Sequence, residues 1–266
     1  MAPVFVLQSL AANLCGMIVP FGNPQNLYLY SYYGLDLGDF LAAMALPFAL
    51  STAGIVACTW WLCGQSNGSC GRDDTRSLAV PLSRRRLAIY GALVALTLLA
   101  VFRIVPVAAA VAVVAAALAA LDRRALAAVD WGLLATFACF FVFAGNLARV
   151  PEVSAWLSPL MADHGLLVSA GLSQIISNVP AAVLLSHFTG AWQPLLVGVN
   201  IGGAGTLVGS LASLITLQHF TSVRKIFPRA AALPELSTGR FLALFSVLNF
   251  GFLALLLIAC GMTFSF

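Results

Sequence analysis

The stretch from Gly171 to Ile215 constrains this chain more than any other, because it is apolar enough for a bilayer yet carries helix breakers in its middle. Ser177-Asn178-Val179-Pro180 interrupts its first half, and Asn200 with Gly202-Gly203-Ala204-Gly205-Thr206 interrupts its second. Proline removes a backbone donor and glycine weakens a helix, so each run is predicted to break at membrane depth. Non-helical backbone survives there only where protein buries it or where it lines a cavity. The pattern predicts a solute site rather than a plain span.

The rest of the chain supplies the membrane context. It is 61% hydrophobic and 8% charged, the balance of a polytopic membrane protein. The net charge of +4 therefore says nothing about nucleic acid, and no nucleic-acid partner is expected; the partner that the apolar runs imply is the lipid bilayer. Cys15, Cys58, Cys63, Cys70, Cys139 and Cys260 are scattered and read as free thiols. No zinc-protease HExxH and no nucleophile elbow occurs, so no catalytic residue, metal ligand or cofactor is assigned and no enzyme is expected. The start of the chain has no basic n-region, and its first segment reads as a retained membrane element.

The expected fold is all-α, with about seven membrane segments, two of them discontinuous, and one re-entrant hairpin. A discontinuous helix over Phe5 to Tyr33 and a span over Phe40 to Cys63 form a first unit, 1–64. A basic loop follows at 65–86, then scaffold helices at 87–147, with two short helices hinged at Arg103 and Pro106 and a third from Trp131 to Leu147. An outer linker at 148–164 is read as a short interfacial piece. The last unit, 165–266, holds the hairpin Gly165 to Phe188, a discontinuous segment Trp192 to Phe220 and the span Phe241 to Met262.

Charge sets the orientation. If every segment except the hairpin crosses, one side collects Arg72, Arg76, Arg84, Arg85, Arg86, Arg123, Arg124, Arg224, Lys225, Arg229 and Arg240, and the other only Arg103 and Arg149. The positive-inside rule makes the first side cytoplasmic, with the N-terminus inside and the C-terminus outside an inner membrane. A crossing hairpin would move the basic loop at 224–240 outside and erase that bias. The hairpin is therefore predicted to dip in from the outer face.

The two discontinuous segments also repeat. At a constant offset of 187, Asn13 falls on Asn200, Gly16 on Gly203, Gly22 on Gly209, Asn23 on Ser210 and Asn26 on Ser213. Interrupted segments at corresponding places in two halves point to a transporter site, and the topology makes this repeat inverted. Candidate solute contacts are Gly22, Asn23, Pro24 and Asn26 at the first break, Ser177, Asn178 and Pro180 at the hairpin, and Asn200, Gly203, Gly205, Thr206 and Ser210 at the second break. New helix N-termini favour an anion and freed carbonyls a cation. Ser177, Asn178, Asn200 and Thr206 are the candidate oxygens for a coupling sodium ion. All nine acidic residues fall in loops or at span ends, which disfavours proton exchange through a buried carboxylate.

These motifs resemble the ion transporter superfamily of divalent anion–sodium symporters, citrate carriers and arsenite permeases. The resemblance rests on Gly22-Asn23-Pro24-Gln25-Asn26, on Ser177-Asn178-Val179-Pro180-Ala181 and on Asn200 through Thr206 with Gly209-Ser210. It implies a secondary carrier for a small di- or tricarboxylate-type anion, coupled to sodium, with Ser177 and Asn178 at a substrate- and sodium-binding tip where Val179 stands in place of the family's threonine. Arsenite or sodium efflux is the alternative within the superfamily. The resemblance implies further spans and a first hairpin ahead of this chain. It leaves open a homodimer, a separately encoded N-terminal half, or a non-transporting subunit.

Overall fold

A computed structural model describes residues 2–63, 83–226 and 237–264, and among them it contains helices and no strand. The expected loop at 65–86 lies outside the described residues up to Leu82, and so do Arg229 and Glu235. Two compact units are formed. Unit 1 comprises Met1–Ser66 with Thr136–Phe266, and unit 2 comprises Asn67–Ala135.

Unit 1 begins with α1 (Ala2–Leu10), which loosens into a π-turn (Ala11–Cys15) and a 3-10 turn (Gly16–Ile18). After extended backbone at Val19 the chain re-enters a helix, α2 (Pro24–Tyr32). Pro24 occupies its first position, where the missing N–H is one the helix leaves unpaired anyway. Gly34 at φ 65 ends it, letting Leu35 N–H reach back to Tyr30 O at 3.1 Å in a Schellman closure. The helix α3 (Leu37–Cys63) follows and is long enough to span a bilayer. Trp60 and Trp61 at its far end are 82% and 69% exposed, as interfacial tryptophans are.

In unit 2, α4 (Arg84–Val101) and α5 (Val107–Leu121) are separate antiparallel helices. Arg103 at φ 60 closes the first, with Ile104 N–H on Leu99 O at 2.9 Å, and Pro106 prevents its continuation. Tyr90 near the start of α4 bonds Asp122 just beyond α5, which fixes the pairing direction. The short helix α6 (Arg123–Ala127) is capped by the Asp122 carboxylate.

The helix α7 (Trp131–Leu147) has the expected bounds, but 148–164 is not a simple linker. Helix resumes at Pro151, again a first-turn proline, and α8 runs Pro151–Ile176 at 97° to α7. His164 leaves helical geometry (φ −135, ψ 33), so α8 is two helices joined at a kink, 151–163 and 165–176. Unit 1 closes with α9 (Asn178–Leu185), α10 (Trp192–Ile201), a 3-10 turn (Leu207–Gly209), α11 (Leu211–Ile226) and the second bilayer-length helix, α12 (Thr238–Phe264). Its core joins α1, the π-turn, α3 and α12 through Leu10, Leu14, Met44, Phe245 and Leu256.

Candidate functional site

The site is assembled by small residues. A Cβ on Gly165 would lie 3.6 Å from Pro194, one on Gly198 2.6 Å from Ser169 Cβ, and one on Gly202 2.8 Å from Ser173 Cβ. The partners advance in step, so α10 runs parallel to the second half of α8. The chain between them must then come back, and α9 is its returning arm. Residues 165–185 form a helical hairpin with Ser177 at the tip. Ser169 and Ser173 donate to Gly165 O and Ser169 O on their own helix at 2.6 and 2.7 Å, which leaves no unpaired hydroxyl in this close contact.

The tip is strained. Ser177 has φ 76 and ψ 153, a region that glycine alone adopts freely, at about 1–3 kcal/mol for other residues. Such strain gathers at functional sites. Pro180 in the first turn of α9 further removes a donor that the helix could not pair.

The two broken helices meet beside the hairpin. Phe5 packs on Phe220 and Ser9 faces Ser213 at 3.5 Å, so α1 and α11 are antiparallel. Asn26 at the start of α2 bonds Asn200 at the end of α10, while Tyr28 and Tyr33 further along α2 reach Ser186 and Thr189 ahead of α10. Hence α2 and α10 are antiparallel too. The breaks themselves match in detail. Gly22 N–H donates to Val19 O and Gly209 N–H to Thr206 O, both at 3.1 Å, and Leu27 to Asn23 O pairs with Leu214 to Ser210 O. Asn23 and Ser210 are both extended, at φ −137 and −148. The offset of 187 read from the sequence is thus the offset of the geometry.

An amide network fills the crossing. Asn200 Nδ2 donates to Asn26 Oδ1 at 2.6 Å and Leu196 O at 2.8 Å, while its Oδ1 accepts from Gln25 Nε2 at 3.1 Å and Asn23 Nδ2 at 3.5 Å. That uses all four of its bonding positions. Asn26 Nδ2 donates to Met17 O and Val19 O, and Asn23 Nδ2 to Asn13 O. Asn23, Gln25, Asn26 and Asn200 are all buried.

A second anchor holds the loop after α10. Gln174, near the hairpin tip, donates through Nε2 to Gly202 O at 2.6 Å and Ala204 O at 3.0 Å, and its Oε1 accepts from Thr206 N–H at 2.8 Å. Thr206 Oγ1 donates to Gln174 O and accepts from Gly209 N–H. Gly205, at φ 116, lies against the Gln174 side chain, where a Cβ would collide. Gly203 lies against the Asn13 amide in the same way, and Gly22 against Gly16 O. Gly22 and Pro24 are exposed and shape the first break, and Ser210 Oγ caps α11 by accepting from Ser213 N–H.

Two buried amides remain. Asn178 is 3% and Asn13 4% exposed, and neither side chain has a hydrogen-bond partner among the described residues. A buried amide without a partner is expensive, so these groups mark where a bound solute or ion would complete the bonding. Among the described residues every buried polar side chain is Ser, Asn or Gln, and no charged side chain is buried. A cavity of about 800 Å³ opens at the other end of the hairpin, lined by Asp163, His164, Trp192 and Gln193, away from the amides.

Gln174, Gln25 and Asn13 were absent from the residues expected to form the site. The signal for Gln174 was present: a glutamine in an apolar run, three residues ahead of the Ser-Asn break. Besides Ala170 O on its own helix, its partners lie 28 to 32 residues away and have no local signature.

An all-helical chain with bilayer-length helices, two antiparallel broken helices and a hairpin against their crossing has the build of a membrane transporter. The comparisons agree. The chain belongs to CitMHS, the citrate transporter family, which matches residues 1–199. It is 32% identical over 219 residues to the inner membrane protein YbiR of Escherichia coli K12, covering 81% of this chain and 58% of that one. It is 33% identical over 215 residues to the uncharacterized transporter MJ0456 of Methanocaldococcus jannaschii, covering 81% and 57%. The uncharacterized transporter Rv2685 of Mycobacterium tuberculosis is 26% identical over 251 residues. The chain thus spans less than two thirds of the length of these relatives. No solved structure matches it.

Proposed function

We propose that this chain forms the carrier core of a sodium-coupled symporter for a small di- or tricarboxylate anion. The observation that carries the reading is the pair of buried amides without a partner among the described residues, Asn178 at the hairpin tip and Asn13 at the first break. An anionic solute would take N–H bonds from Asn13 and Asn178 and from the start of α9, where backbone donors and the helix dipole favour negative charge. Of the four candidate sodium oxygens, Asn200 and Thr206 are engaged in internal bonds, so Ser177 and Asn178 are the ones left to the ion. With no buried carboxylate among the described residues, sodium coupling is favoured over proton exchange. The family's description as citrate transporters supports the solute class.

Alternating access would move the hairpin and both broken helices as one body, tied by Gln174 and by the Asn200 network. The re-entrant hairpin would enter from the outer face. The test is uptake of labelled citrate and succinate into proteoliposomes with and without an inward sodium gradient. Sodium-dependent uptake is expected; uptake indifferent to sodium, or sodium efflux driven by a proton gradient, would overturn it. A second reading is a half-carrier acting with a separately encoded partner. It requires that activity appear only on co-expression with that partner.

A further inference from the structure

Unit 2 carries a feature that solute transport does not use. Between the start of α4 and the end of α5 lies a cavity of about 320 Å³, lined by Arg85, Arg86 and Tyr90 together with Leu93, Leu118 and Leu121. Three arginines occupy the first turn of α4, the positive end of its dipole, where cations are disfavoured. Arg123 and Arg124 add to the same end of the helix pair, where Asp122 is the acid at the end of α5. The Asp122 carboxyl accepts from the Tyr90 hydroxyl at 2.7 Å and from Ala125 N–H at 3.1 Å, and these bonds hold it below the usual carboxylate range. Arg123 is committed to Ala119 O at 2.9 Å. Arg84 and Arg85 have no partner among the described residues. Setting an orientation requires only cations near the membrane, whereas Arg85 and Arg86 line a cavity that has an apolar side.

We propose that this cavity binds the phosphate headgroup of an anionic phospholipid. Arg85 and Arg86 hold the phosphate, and an acyl chain lies along Leu93, Leu118 and Leu121. Phosphodiester oxygens suit two adjacent guanidinium forks, and an anion there relieves the unfavourable charge on the first turn of α4. Basic pockets between membrane helices recognise lipid headgroups by this combination. The inference stands apart from the proposed transport site, since all of its residues lie in unit 2.

The test is native mass spectrometry of the full chain from nanodiscs of phosphatidylcholine with or without phosphatidylglycerol, with thermal unfolding in parallel. Phosphatidylglycerol is expected to be retained selectively and to raise the unfolding temperature. Joint replacement Arg85→Gln and Arg86→Gln should weaken retention roughly 30-fold at the usual worth of two arginines beside an anionic lipid. Arg149→Gln should not weaken it. The Arg85 and Arg86 side chains are exposed, so the variant keeps its fold, and the joint Lys replacement should restore part of the retention. Equal retention of the two lipids, or of wild type and the Gln variant, overturns the proposal. Stabilisation by inorganic phosphate in pure phosphatidylcholine equal to that by phosphatidylglycerol would assign the site to a free anion and reject the lipid.

Discussion

Asn178 and Asn200 are both buried amides next to a helix break, but their bonding separates them. Asn200 spends every donor and acceptor inside the protein. Asn200→Ala strands the amides of Asn26 and Gln25 and should lower stability by about 1–3 kcal/mol, the ordinary cost of orphaned buried partners. Thermal unfolding in detergent reads this directly. Asn178→Ala removes an amide with no partner among the described residues, so stability should stay within about 0.5 kcal/mol while citrate uptake falls roughly tenfold or more. If Asn178→Ala unfolds the protein and Asn200→Ala does not, the roles are reversed. Ser177 permits a finer separation. Ser177→Gly relieves the φ 76 backbone and should stabilise by about 1 kcal/mol, yet it removes a hydroxyl from the tip. Uptake lost by both Ser177→Gly and Ser177→Ala assigns the role to the hydroxyl; uptake kept by Ser177→Gly alone assigns it to the turn.

Among the elements, the hairpin and the second broken helix are joined by one side chain. Gln174 takes two carbonyls and one N–H from the loop that follows α10. Gln174→Leu keeps the bulk and removes these bonds, so hydrogen exchange at Thr206 and Gly209 should speed up while α10 stays protected. Unchanged exchange at Thr206 would show that the loop holds its shape by itself. Gly205→Ala meets the same joint from the other side. Its φ of 116 and the Gln174 contact together predict a loss of about 1–3 kcal/mol in thermal unfolding.

At the scale of the whole molecule, the side of the bilayer each loop occupies follows from charge. The cation distribution predicts Ser83 and Ser237 on the cytoplasmic side and Arg149 outside, provided the hairpin does not cross. Single cysteines at these three positions in a cysteine-free background, labelled with an impermeant maleimide, should group Ser83 with Ser237. Grouping of Ser237 with Arg149 would make residues 165–188 a crossing segment.

The places where helices break were legible in the sequence alone. Pro24, Pro180 and the glycines after Asn200 act on their own backbone, through a missing donor or a φ that other residues resist, so no partner is needed to read them. The repeat was legible for the same reason, since Gly22 with Asn23 and Gly209 with Ser210 build the same turn twice. The span bounds followed from apolar length. The helix at Pro151–Asp163 was read only as a short interfacial linker because Pro151 and Pro159 read as punctuation; Pro151 falls in the first turn, where its missing donor costs the helix nothing, and Pro159 is carried inside the helix. The division of labour among the amides belongs to the tertiary structure. Asn26 and Asn200 are 174 residues apart, and which amide is saturated and which is left over depends on how the two broken helices meet. Hydrogen-bond capacity is written in the residue type, but its use is decided by neighbours that only packing brings near.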